Sequence, residues 1–152
     1  MSLNKDEILL NRDELKAAAA EFHARGFNCA QSVACALAPA LRMDERTVFT
    51  LTEGFGAGMG GMTETCGAIS GAVVALGQVE STGFDEPTSK GRTYKLARTL
   101  CARFAEKNGS NVCRELKGVG SEAGPLRSCA GCIDDAIDLF CDVVIEQGAR
   151  EA

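Results

Sequence analysis

Apolar residues recur at helical spacing along most of this chain, and nowhere do they alternate with the period of two that a half-buried strand requires. Ile8, Leu9, Leu15, Ala18, Ala19 and Phe22 mark an amphipathic helix over residues 6 to about 25, in Ala-rich sequence that favours helix intrinsically. Gly26 suits the position just past its end. Asn28 can cap a second helix, Cys29 to about Leu41, with Cys29, Val33, Ala36, Leu37 and Ala40 on one face. Asp44 caps a third, Glu45 to about Gly54, in which Val48, Phe49 and Leu51 are apolar. Thr63 or Thr65 can cap a fourth, Glu64 to about Val79, with a strand over 72–76 as its alternative. A fifth runs from about Thr88 to Lys107, with Tyr94, Leu96, Ala97, Leu100, Cys101 and Phe104 on its buried side, and Asn108-Gly109 ends it. Cys113 to Leu116 reads as a short helical turn and 118–128 as a loop. The last helix starts at Cys129 or Ala130 and continues to about Gln147 through Ile133, Ile137, Phe140 and Val144. The expected fold is all-α: a compact bundle of five to six helices, one domain over 1–152, with residues 1–5 as a disordered or added leader.

One stretch departs from this regularity. From Gly54 to Gly71 glycines stand at 54, 56, 58, 60 and 61, and the run leads into Thr65-Cys66-Gly67-Ala68-Ile69-Ser70-Gly71. Such backbone is permissive but costly to order, so it marks sharp bends or close packing. Gly67 and Gly71 fall inside a helix, where each costs about 1 kcal/mol against Ala, and this points to tight helix contacts or a ligand nearby. Residues 56–61 formally satisfy G-x-G-x-x-G. A helix rather than a strand precedes them, and no G-K-S/T follows, so a nucleotide cradle is not expected.

A net charge of −5, one Tyr and no Trp argue against nucleic acid and against an anionic membrane surface as partners. No apolar run approaches the roughly 20 residues of a membrane span, and the N-terminus lacks a signal peptide's apolar centre, which places the chain in the cytoplasm. Eight cysteines are the anomaly there, because in a reducing compartment they point to metal ligands or redox thiols.

Local setting sorts these cysteines. Cys29, Cys66 and Cys129 each lie at or near a helix start, where unpaired N–H groups and the helix dipole stabilise a thiolate. Cys113 lies in a short turn after a polar loop. Cys35, Cys101 and Cys141 lie within helices and read as small buried hydrophobes. Cys129-Ala130-Gly131-Cys132 is a C-x-x-C, which brings two sulfurs within one turn, although no βαβ unit surrounds it and no second C-x-x-C suggests a zinc ribbon. His23, the only histidine, reads as a structural or surface residue, Glu64 as a helix-start residue, and Asp134-Asp135 as a solvated helix face.

Phe27-Asn28-Cys29-Ala30-Gln31, Gly54 to Gly60 leading to Cys66-Gly67-Ala68-Ile69-Ser70-Gly71, Cys113-Arg114-Glu115-Leu116, and Cys129 four residues before Ile133 together resemble a known pattern. The chain is similar, over about residues 22 to 145, to the redox-active protein family named for its C-GCAxxG-C-C cysteines. The resemblance implies a small helical protein with four characteristic cysteines, here Cys29, Cys66, Cys113 and Cys129, and a redox role. Cys132 falls on a position the family does not require to be cysteine. The first functional expectation is thiol/disulfide exchange or electron transfer with an unknown redox partner, the chain acting as an oxidoreductase. Cys66 and Cys129 are then the reactive thiols, Cys29 and Cys113 their partners, and Cys132 an additional one. The second is an iron–sulfur cluster or structural zinc held by Cys29, Cys66, Cys113 and Cys129. The third is a structural or interaction bundle, and the apolar last helix allows a homodimer.

Overall fold

Burial of one short helix dictates the architecture. In the computed structural model, which describes residues 11–151, the segment Ala30 to Ala38 is buried without interruption, polar Gln31 and Ser32 included. A helix buried on all sides must be surrounded by others, and this one is packed by the helices before and after it and by two from later in the chain. Seven α-helices are present among the described residues: α1 (Arg12–Ala24), α2 (Cys29–Leu37), α3 (Glu45–Thr52), α4 (Gly67–Glu80), α5 (Lys90–Asn108), α6 (Cys113–Leu116) and α7 (Cys129–Glu151). The all-α expectation holds. The count exceeds five or six because the turn at Cys113 closes into a helix of its own. Ile8, Leu9 and the leader at 1–5 lie outside the described residues.

Several boundaries move for local reasons. α2 stops at Leu37 rather than Leu41 because Pro39 has no N–H to continue the ladder, and looser turns carry the chain to Leu41. α4 starts at Gly67 rather than Glu64, and the stretch 72–76 is helical, not extended. Ala40 is exposed, as are Leu51 and Tyr94, so these three leave the faces that periodicity assigned them.

The core gathers Val33 and Leu37 of α2, Ile69 and Leu76 of α4, Leu100 and Phe104 of α5, and Ile137, Phe140 and Val144 of α7. Cys35 and Cys141 are wholly buried and Cys101 half-buried, as expected of small hydrophobes. α1 lies on α7 through Leu15 and Ala19. Ion pairs edge that contact: Arg12 to Asp142 at 2.7 Å and Lys16 to Asp138 at 2.8 Å. At the other end of α1, Phe22 stacks on Phe27 with ring centroids 4.7 Å apart, and Phe27 meets Phe49 edge-on at 4.8 Å.

α2 and α4 approach each other at backbone distance. A Cβ built on Gly71 would stand 2.5 Å from the carbonyl oxygen of Ala30, and one on Gly67 would stand 3.0 Å from the carbonyl of Phe55 and 3.3 Å from the Ala30 nitrogen. The two glycines are four residues apart and share one face of α4. They form the groove that seats the start of α2.

Gly71→Ala is therefore expected to destabilise the fold by about 1–3 kcal/mol through overpacking, measured by chemical denaturation. Gly77→Ala on the same helix meets nothing within 4 Å and serves as the matched control; there a gain of up to about 1 kcal/mol is expected.

Candidate functional site

Four helix starts converge at one end of the bundle, and each presents a cysteine. Cys29 is the first residue of α2, Cys66 the N-cap of α4, Cys113 the first residue of α6 and Cys129 the first of α7.

Local chemistry fixes each start. Asn28 closes a capping box on α2: its side chain accepts from Gln31 N at 2.9 Å, and its own N–H donates to the Gln31 side chain at 3.0 Å. The same two side chains donate to the carbonyls of Glu53 and Phe49, which ties α2 to the end of α3. The segments before α4 and α6 run antiparallel through a single bridge between Thr65 and Val112. Cys66 N donates to Asn111 O at 2.8 Å and Cys113 N to Glu64 O at 2.9 Å, so two cysteines leave side by side. The glycine-rich stretch makes this possible. Its backbone is left-handed at Ala57, Gly58, Met59, Gly60 and Met62, and a Cβ on Gly58 would stand 2.5 Å from the Cβ of Cys113. Ser128 caps α7 by accepting from Gly131 N at 2.9 Å.

The result is a single small cavity lined by Cys29, Cys66, Cys113, Cys129 and Cys132, with Lys117 and Arg127 at its wall. All five sequence-predicted site cysteines are brought together. Its free space is about 10 Å³, enough for about one water molecule. All five are free thiols.

Contacts among the sulfurs are selective. Cys132 is the sulfur neighbour of Cys66, and Cys129 that of Cys29, with Lys117 beside Cys129. The C-x-x-C is thus divided: Cys129 faces α2, and Cys132 faces the start of α4. Cys113 faces Lys117, Cys66 and Cys129.

These settings push the thiols apart in acidity. The Cys132 thiol, then the backbone N–H groups of Ala68 and Ile69, then the Lys117 charge pull Cys66 down to about 7 against the opposing cost of burial. The sulfur makes no short oxygen-type cap bond, but the second and third N–H groups of α4 face it, which is where an N-cap acceptor works. Neither Thr63, Thr65 nor Glu64 fills that position, because the helix begins one residue after Cys66. Burial, joined by the Cys129 and Cys66 charges, raises Cys29 to about 12. Cys132 is raised further, chiefly because its proton is held against Cys66. Cys113 is raised by burial. Burial alone would lower Lys117, yet Cys129 and Cys113 outweigh it and hold the ammonium above its ordinary value.

Sequence reasoning missed both cations and the anchor of Arg127. Asp135, read as part of a solvated helix face, is fully buried. It accepts from Lys107 Nζ at 2.6 Å, Asn108 Nδ2 at 3.1 Å, and Arg127 Nε and Nη2 at 3.1 and 3.2 Å. Burial would raise its carboxyl, but the donors from Lys107, Arg127 and Asn108 hold it below the ordinary carboxylate range. Asp134 beside it does reach solvent and pairs with Lys16 at 3.2 Å. Lys117 follows Cys113 by four residues, a helical spacing that could have flagged it. Arg127 sits in a loop that no periodicity describes. His23 does not line the cavity.

Among the described residues no three His, Cys, Asp or Glu side chains stand in an arrangement that could hold a metal ion. No helix among the described residues is long and apolar enough to cross a membrane.

A family model described as "Putative redox-active protein (C_GCAxxG_C_C)" matches residues 27–143. The chain belongs to that family. No curated protein and no solved structure matches the chain.

Titration of thiolate absorbance near 240 nm should show one thiolate forming around pH 7, absent from Cys66→Ser. Removing the carboxylate in Asp135→Ala should cost about 3 kcal/mol, the low end for breaking a buried pair, because both cations can reach water. Since the folded carboxyl titrates below the unfolded value of about 3.9, its contribution is whole above that pH and is lost as pH falls through the folded value. The difference between the two proteins in denaturant unfolding should accordingly shrink in strong acid.

Proposed function

We propose that this cavity is a thiol/disulfide redox centre whose exchanging pair is Cys66 and Cys132. The observation that carries the reading is that these two buried sulfurs line one small cavity at a helix start. Membership of a family described as redox-active supports it. Cys66, held toward thiolate by Ala68, Ile69 and Lys117, attacks a disulfide presented to it, and one sulfur of that disulfide leaves as thiolate. Cys132 then attacks the Cys66 sulfur and expels the second, its proton passing to the thiolates released. Two electrons leave the protein, and a Cys66–Cys132 disulfide remains. The reverse sequence reduces it.

The test is chemical. Anaerobically reduced protein treated with diamide, a small thiol oxidant, should yield a Cys66–Cys132 disulfide on mass mapping, and dithiothreitol should remove it. Cys66→Ser and Cys132→Ser should each lose that bond. A fully oxidised sample in which Cys66 remains a free thiol would sink the proposal.

A further inference from the structure

The exchanging pair is nearly sealed: Cys66 is 5% exposed and Cys132 3%. The space beside them holds about one water molecule, so a partner's disulfide meets the half-buried sulfurs at the rim before it meets these. Cys29 and Cys129 are only half-buried and line the same cavity. Resting on the redox reading above, we propose that Cys29 and Cys129 form an outer dithiol that receives a partner's disulfide and relays it to Cys66 and Cys132.

The geometry supplies each role. Cys129 opens α7, and exposed Lys117 lines the same cavity wall. The half-buried Cys129 sulfur is the one placed to meet a partner first. Cys29 lies against Cys129 on one side and near Cys66 on the other, so it bridges the two pairs. Gly67 makes room for it: a Cβ there would stand 3.4 Å from the Cβ of Cys29.

The steps balance. Cys129 thiolate attacks one sulfur of an accessible disulfide, whose other sulfur leaves as thiolate and takes the proton of Cys29. Cys29 then attacks the Cys129 sulfur and releases the partner's second thiolate, completing its two-electron reduction. Cys66 thiolate attacks the Cys29 sulfur of the new bond, and Cys129 leaves as thiolate beside Lys117. Cys132 resolves by attacking Cys66, and Cys29 departs with the Cys132 proton. The outer dithiol is regenerated and the inner disulfide holds the oxidation.

Oxidised glutathione is the probe. Reduced protein mixed with it anaerobically, quenched in acid at intervals, alkylated and mass-mapped should show glutathione on Cys129 or a Cys29–Cys129 bond before Cys66–Cys132 appears. Cys129→Ser should slow the inner bond by about tenfold or more with glutathione, while diamide still forms it. Lys117→Met keeps all five sulfurs and should slow the first step several-fold. An inner bond that appears first, or forms at an unchanged rate in Cys129→Ser, overturns the relay and leaves the redox centre standing. If circular dichroism shows that Cys129→Ser does not fold, the order of appearance in the unsubstituted protein and the Lys117→Met rate decide. Failure of the redox reading is separate: neither oxidant then links Cys66 in any of these proteins.

Discussion

Contact between the backbones of α2 and α4 at Ala30 is the constraint on which the sulfur cavity depends. Helices usually stand 8–10 Å apart, held off by the side chains between them. Here Gly67 and Gly71 withdraw those side chains, and the first turn of α2 settles into the gap. Cys29 and Cys66 are brought together as a consequence, because both lie at the very ends of the two helices in contact. The remaining helix starts are added by shorter devices: the Thr65–Val112 bridge places Cys113 beside Cys66, and the Ser128 cap aims the start of α7 at the same point. A glycine that costs helix stability in isolation is here what lets the helix meet its neighbour.

Convergence of helix starts also settles a conflict between burial and charge. Burying a thiol opposes ionisation, and Cys29, Cys113 and Cys132 all move in that direction. Cys66 alone moves the other way, because it is the N-cap and two free N–H groups face its sulfur while a third group, the Cys132 thiol, gives its proton toward it. The chain's net charge of −5 has no bearing on this local field. Fixed dipoles a few ångströms away outweigh distant carboxylates that water screens.

Much of this was legible in the residues. Helical periodicity gave the long helices and left Cys113 to Leu116 as a turn, and the capping residues Asn28 and Asp44 were found where they act. The helix-start setting of Cys29 followed from Asn28 and that of Cys129 from Ser128, whereas Cys66 proved to be the N-cap itself. Less legible was anything decided across the fold. Tyr94 stands two residues from Leu96 and six from Leu100, on a different face of α5, and is 61% exposed. Asp135 sits beside a truly half-exposed Asp134, and only the arrival of Lys107, Asn108 and Arg127 from other segments makes its burial tolerable. Pairing of the sulfurs was similarly out of reach, because C-x-x-C spacing suggests a local pair, whereas α7 turns its two cysteines toward different neighbours.

The two cations are placed differently. Lys117 acts on Cys129, Cys113, Cys29 and also Cys66, whereas Arg127 lies toward Cys132. Their mounting differs in kind. Arg127 is clamped by two hydrogen bonds to a buried carboxylate and keeps its charge at any ordinary pH, so it offers the inner pair a fixed positive potential. Lys117 ends a four-residue helix and is exposed, with rotatable donors that can follow a sulfur or yield to a partner's anionic group. On the proposed relay, negative charge appears on the outer sulfurs when a bond is handed inward and on Cys66 when the inner pair is reduced. Lys117 meets both demands, because its rotatable donors reach toward either pair, while Arg127 stays fixed beside Cys132.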